Sequence, residues 1–189
     1  MHRNWTALLL ALCLPPFAVA KGADFGWSPP AIGAGLFTEQ LGMLERERDE
    51  YADSLATHAA NRVATAKADK SSLTEARRLV ALALHLAPRN RKALVLSFQL
   101  ARGVLPEPQA GNYQPEVLAS LLATRAEVLK QQGGEQNSYL ARIFTELAAE
   151  MNPTNDDAVY ASELQRIDHG PIDWSRLTDA KPSPVLSEP

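Results

Sequence analysis

The sequence predicts an all-α fold: about six helices paired as antiparallel hairpins. Three observations predict it. Apolar residues recur at helical spacing from Thr38 to Ile167, as amphipathic helices require. Strand signals are missing, with no alternating run and no β-branched cluster. Proline, asparagine and paired glycines punctuate the chain at intervals of one helix and one turn.

The elements follow in order. Arg3 and the α-amino group precede an apolar run from Ala7 to Leu14, which Pro15 and Pro16 break. Ala18-Val19-Ala20 then presents small residues where a signal peptidase tests them, so residues 1–20 are expected to be a secretory signal cleaved before Lys21. The run is too short to cross roughly 30 Å of hydrocarbon. Cys13, the only cysteine, follows Leu12 where a lipidated cysteine follows a small residue. The mature chain would carry no thiol, and its stability would rest on apolar packing. It would hold 18 basic and 22 acidic residues. That balance disfavours nucleic acid and anionic lipid as partners.

Residues 21–37 hold four glycines and two prolines and read as an extended linker, with Phe25, Trp27 and Phe37 available to dock. From Thr38 to about Lys70, Leu41, Leu44, Tyr51, Leu55 and Val63 keep helical spacing, as one long helix or two. Ser72 with Glu75 matches a capping box for the next helix. That helix carries a small stripe (Ala76, Val80, Ala83, Ala87) and a large one (Leu79, Leu82, Leu86), which suits a helix packed on two sides. Pro88 ends it. Asn90 caps a third helix whose inner stripe is expected to be Leu94, Phe98 and Ala101, and whose other apolar residues make it central. After a loop from Gly103 to Gln114, Pro115 opens a helix bearing Leu118, Leu121, Leu122, Val128 and Leu129, which Gly133-Gly134 stops. A fifth helix carries Leu140, Phe144, Leu147 and Met151 and ends before Pro153. Asn155 caps the sixth, with Asp156 and Asp157 at its positive end and Tyr160, Leu164 and Ile167 expected inside. Beyond Asp168, Ile172, Trp174 and Leu177 are expected to fold back on the last hairpin as a clasp. Residues 181–189 read as a disordered tail.

Two stretches match at an offset of 65: Ala76-Arg77 with Ala141-Arg142, Leu82-Ala83 with Leu147-Ala148, Pro88 with Pro153, Asn90 with Asn155 and Ala93 with Ala158. Self-similarity of this kind marks stacking hairpins. The spacing Ala76, Ala83, Pro88, and again Ala141, Ala148, Pro153, resembles the second half of a tetratricopeptide repeat over residues 57–90 and 122–155, with Ala64 where the first helix of that family takes a small residue. The resemblance implies a short TPR-like α-solenoid that binds a protein or peptide on the face made by the first helix of each repeat. It would place His58, Asn61, Arg62 and Thr65 there, with Lys92, Gln99 and Arg102 from the following helix and Glu127 and Lys130 from the second unit.

Chemistry-bearing patterns are otherwise sparse. His58, His85 and His169 have no partner at ligand spacing, so no metal or cofactor is expected. Glu45, Glu47, Asp49 and Glu50 read as a solvated helix face, and no phosphate loop or serine elbow appears. The expectation is an exported adaptor or scaffold without catalysis, periplasmic or extracellular in a bacterium, that binds a protein or peptide and has no integral membrane span once the signal is removed. Two alternatives stay open. One is a small helical envelope enzyme using carboxylates. The other is a structural subunit that self-associates through residues 38–70.

Overall fold

The computed structural model describes residues 24–109 and 114–179. The expected signal segment and the expected tail, 181–189, lie outside the described residues. Within them the chain is all-helical: α1 (Glu45–Thr65), α2 (Lys70–Leu86), α3 (Arg91–Ala101), α4 (Pro115–Gln132), α5 (Glu135–Met151), α6 (Asp156–His169) and the single turn α7 (Ser175–Thr178). No strand forms among them, and a lone bridge joins Ala31 to Asp179.

Local chemistry sets the helix starts. Asn90 and Asn155 cap α3 and α6, their side chains accepting from Ala93 N at 3.0 Å and Ala158 N at 3.2 Å. α2 corrects the capping-box expectation. It begins earlier, at Lys70, capped by Asp69, whose carboxylate accepts from Ser72 N at 2.7 Å. That backbone N–H, aided by the Ser72 hydroxyl, holds the Asp69 carboxyl below its ordinary range. A charged acceptor suits the positive helix end better than a serine does. Ser72 is instead buried in the first turn. α1 starts at Glu45, later than Thr38, because the preceding residues turn to meet α5. Thr38 N donates to Gln136 Oε1 at 2.9 Å and Gly42 N to Asn137 Oδ1 at 2.8 Å.

α1–α2 and α4–α5 are the antiparallel hairpins. Gly133 and Gly134, both with positive φ, turn the second one. The first turns with the same backbone hand at Lys67 (φ 52) and Ala68 (φ 56), without glycine. A side chain in that region costs about 1–2 kcal/mol, more than the entropy glycine adds to the unfolded chain. Lys67 is exposed. Lys67→Gly is therefore expected to stabilise the protein by roughly 0.5 kcal/mol, read as a higher urea midpoint at unchanged slope.

The 65-residue offset holds in the backbone. α2 and α5 begin 65 apart and end 65 apart, and α3 and α6 begin 65 apart. The chain is thus two three-helix units, α1–α3 and α4–α6. Both stripes of α2 are buried, as are Leu140, Phe144 and Leu147 of α5. The units meet where the Tyr51 ring lies 5.2 Å from that of Phe144 and the Tyr51 hydroxyl donates to Leu121 O at 3.2 Å. Arg125, with 14% of its side chain exposed, sits 2.9 Å from Glu47 and donates to Gly42 O.

The third helix of each unit overturns an expectation. α3 buries Ala93, Leu96 and Leu100, while Leu94, Val95 and Phe98 stay exposed, Phe98 at 61%. It lies at the edge, not the centre. α6 buries Ala158 and Gln165 and exposes Tyr160, Leu164 and Ile167, the last at 78%. Close approach is made on alanines, and the large residues point away. In α4, likewise, Leu121 is exposed while Leu118, Leu122, Ala126 and Leu129 are buried.

Residues 170–179 cross from α6 to α2, reaching beyond the last hairpin. Ile172 and Leu177 are buried. The Trp174 indole donates to Glu146 Oε1 at 3.0 Å and carries Arg78 over its ring at 5.1 Å. His85 Nε2 lies 3.0 Å from Leu177 O. Arg77 donates to Thr178 O at 3.1 Å and pairs with Asp179 at 2.8 Å. The N-terminal segment joins them, with Ala31 N donating to Thr178 O at 2.8 Å.

Burial pushes the His85 imidazole below its ordinary pKa, and the Leu177 carbonyl only partly offsets this. The unfolded chain takes up this proton as pH falls through about 6.5, before the folded chain does. The His85 contribution is complete above that pH and is lost as pH falls through the lowered folded-state value. Between about pH 7.5 and 5, native protein is expected to lose more thermal stability than His85→Asn, which keeps a donor for Leu177 O but does not titrate.

Candidate functional site: two related grooves and an inter-unit cleft

Asp53, Thr57 and Asn61 stand four residues apart on α1 and form a polar ladder along one face. Asn90 Nδ2 donates to Asp53 Oδ1 at 2.7 Å, and Lys92 Nζ lies 3.3 Å from Asp53 Oδ2 and 3.4 Å from Thr57 Oγ1. These bonds anchor the start of α3 on α1. Beside them opens a groove of about 650 Å³, with Ala56 and Ala60 as its apolar lining on α1. α3 supplies Arg91, Lys92, Val95, Leu96 and Gln99, and the chain's own residues Val104–Gln109 make the remaining side.

The second unit has a counterpart, although its third helix packs on α5. A groove of about 310 Å³ among α4, α5 and α6 is lined by Ala123, Glu127, Ala148, Asp157, Ala158 and Ala161. Lys92 of the first groove and Asp157 of the second are 65 residues apart, so the same structural position is basic in one unit and acidic in the other.

A larger cleft of about 820 Å³ lies between the units, lined by α1, α2 and the near ends of α4 and α5. His58 Nε2 is 3.3 Å from Glu75 Oε1, and Arg62 Nε is 3.1 Å from Glu75 Oε2. Burial pushes the Glu75 carboxyl up, but the hydrogen bonds from His58 and Arg62 outweigh it and hold the group below its ordinary range. Glu150, also in the lining, is raised by burial first and by neighbouring Glu146 next, with Arg78 at 4.0 Å offsetting part.

The residues that the tetratricopeptide resemblance singles out divide among these places. His58 and Arg62 share the inter-unit cleft through Glu75. Lys92 and Gln99 line the α1–α3 groove, and Asn61 stands beside it, accepting from Gln109 N at 2.8 Å. Thr65 is exposed at the end of α1, and Arg102 lies over the Phe98 ring at 5.0 Å. Glu127 lines the α4–α6 groove. Lys130, paired with Glu127 at 2.7 Å, lines another cleft of about 580 Å³ with Tyr139, Arg142, Gln165 and Arg176. Sequence reasoning passes over Asp53, Thr57 and Glu150 and reads Glu75 only as part of a helix cap. The first two are visible as an i, i+4 ladder with Asn61. The two glutamates meet only when the units pack.

Among the described residues no group of three or more His, Cys, Asp or Glu stands close enough to hold a metal ion. No helix among them is long and apolar enough to cross a membrane. Comparison with protein-family models, curated proteins and solved structures returned no match.

Proposed function

We propose that the chain is an exported, TPR-like adaptor of the bacterial envelope that binds an extended segment of another polypeptide and catalyses nothing. One observation supports this reading: each unit has an open groove beside its third helix with alanines in the lining, and the matching positions Lys92 and Asp157 give the two grooves opposite charge. A pair of grooves of opposite charge suits a polypeptide bearing both signs better than a small uniform solute. The signal-like residues 1–20 support export. A photo-crosslinking residue at Gln99, tested in cells, is expected to give a discrete protein adduct that is missing when the same residue replaces Lys67 on the α1–α2 turn. Matching adducts, or none, at the two positions would refute the reading. A mature protein still beginning at Met1 would remove its envelope part.

One observation favours the carboxylate-enzyme alternative. Glu75 and Glu150 share the inter-unit cleft, and their surroundings move their carboxyls in opposite directions. Such a pair is how one site supplies both an acid and a base. This alternative requires Glu150→Gln to abolish hydrolysis of envelope polysaccharide by the purified protein. No hydrolysis by the native protein dismisses it.

A further inference from the structure

The two units treat their grooves differently. Among the described residues the groove of the second unit is lined by α4, α5, α6 and the cap residue Asn155. The α1–α3 groove has residues 104–109 laid against it.

The segment sits as a bound peptide would. It leaves α3 where Val104 N donates to Gln99 O at 2.9 Å and then runs without helix or strand to Gln109. Pro106 is buried, while Leu105, Glu107 and Pro108 on its flanks are exposed. Gln109 meets the α1 ladder through its N–H, which donates to Asn61 Oδ1 at 2.8 Å, while its side-chain oxygen stands 3.5 Å from the Thr57 hydroxyl, whose proton goes to Asp53 O. The bond to Asn61 engages backbone, so it accepts an extended chain of any sequence. The selective elements are the burial of Pro106 and the basic residues Arg91 and Lys92, which line the same groove as Glu107 and favour an acidic residue there.

We propose that residues 104–109 are a built-in competitor, and that an extended, proline-containing acidic peptide of another polypeptide displaces them from the α1–α3 groove. This rests on the adaptor reading and names its ligand. A ligand that must first displace an internal segment binds more weakly by the fraction of time the site is open. The test uses a fluorescent peptide of residues 103–110 and two full chains, the native one and one with residues 104–109 replaced by glycine and serine. The replaced chain is expected to bind at least ~10-fold more tightly by anisotropy. Binding is expected to vanish with Asn61→Ala in that chain, and with alanine for both prolines of the peptide. Equal binding by native and replaced chains of the same helicity overturns the proposal. If the replacement unfolds the protein, Pro106→Gly in the native chain takes its place, with tighter peptide binding expected and unchanged binding overturning. Loss of the Gln99 crosslink leaves this result standing, because it tests the adaptor reading alone. Peptide binding that ignores the segment while the crosslink persists sinks only the competitor.

Discussion

Phe144→Ala is expected to lower the melting temperature by about 10 °C or more. Phe144 is fully buried in α5 and stacks on Tyr51, so its ring is shared by the two units. Removing it deletes apolar contact and leaves a cavity that surrounding helices fill only in part, at a cost of about 3–5 kcal/mol. In a protein of this size each kcal/mol corresponds to roughly 2–4 °C. Phe98→Ala is the matched control. The same deletion on the exposed face of α3 is expected to change stability by less than about 0.5 kcal/mol. Thermal unfolding followed by circular dichroism reads both, and similar shifts for the two would contradict the assignment of faces.

Truncation after Gly170 is the second large effect. It removes buried Ile172 and Leu177 and the Trp174 ring between Glu146 and Arg78. It also strips the Leu177 carbonyl from buried His85 and the Thr178 carbonyl from Arg77. The apolar surface uncovered on α2 and α5 adds to the loss, at roughly 25 cal/mol per Å². The ordering entropy of the deleted residues works the other way. A net loss of about 3 kcal/mol, or roughly 8 °C, is expected. A helicity equal to that of the native chain at 20 °C, with a lowered melting point, would be the result that fits; an unchanged melting point would show that the segment contributes nothing to stability.

Much of the backbone was legible because its signals are local. Asn90, Pro115, Asn155 and the Gly133-Gly134 pair mark helix ends by chemistry that acts within one turn. The repeat was legible for the same reason, since each unit carries its own cap and its own proline stop. The faces of α3 and α6 were not. α3 is apolar most of the way round, and in both helices size alone places Phe98 or Ile167 inside. The packing instead uses Ala93 and Ala158, because short side chains let helices approach closely. The Asp69 cap was missed because Ser72 offers a competing motif three residues later. Of the candidate site, the α1 ladder was present as spacing, whereas the partnership of Glu75 with His58 spans two helices and that of Asn61 with Gln109 spans a loop. No pattern along the chain encodes such meetings.

The pairing of Ala31 with Thr178 has a consequence for timing. A ribosome delivers residue 31 long before residue 178, roughly 7–30 s earlier at ordinary elongation rates. Each three-helix unit can assemble while it waits, since its contacts are close in sequence. Ahead of α1, Arg77 of α2 can already hold Ser28 O at 2.9 Å, but the bond from Ala31 to Thr178 waits until residue 178 is made. The nascent protein can thus form its three-helix units first, and residues 170–179 then tie the segment ahead of α1 to α2.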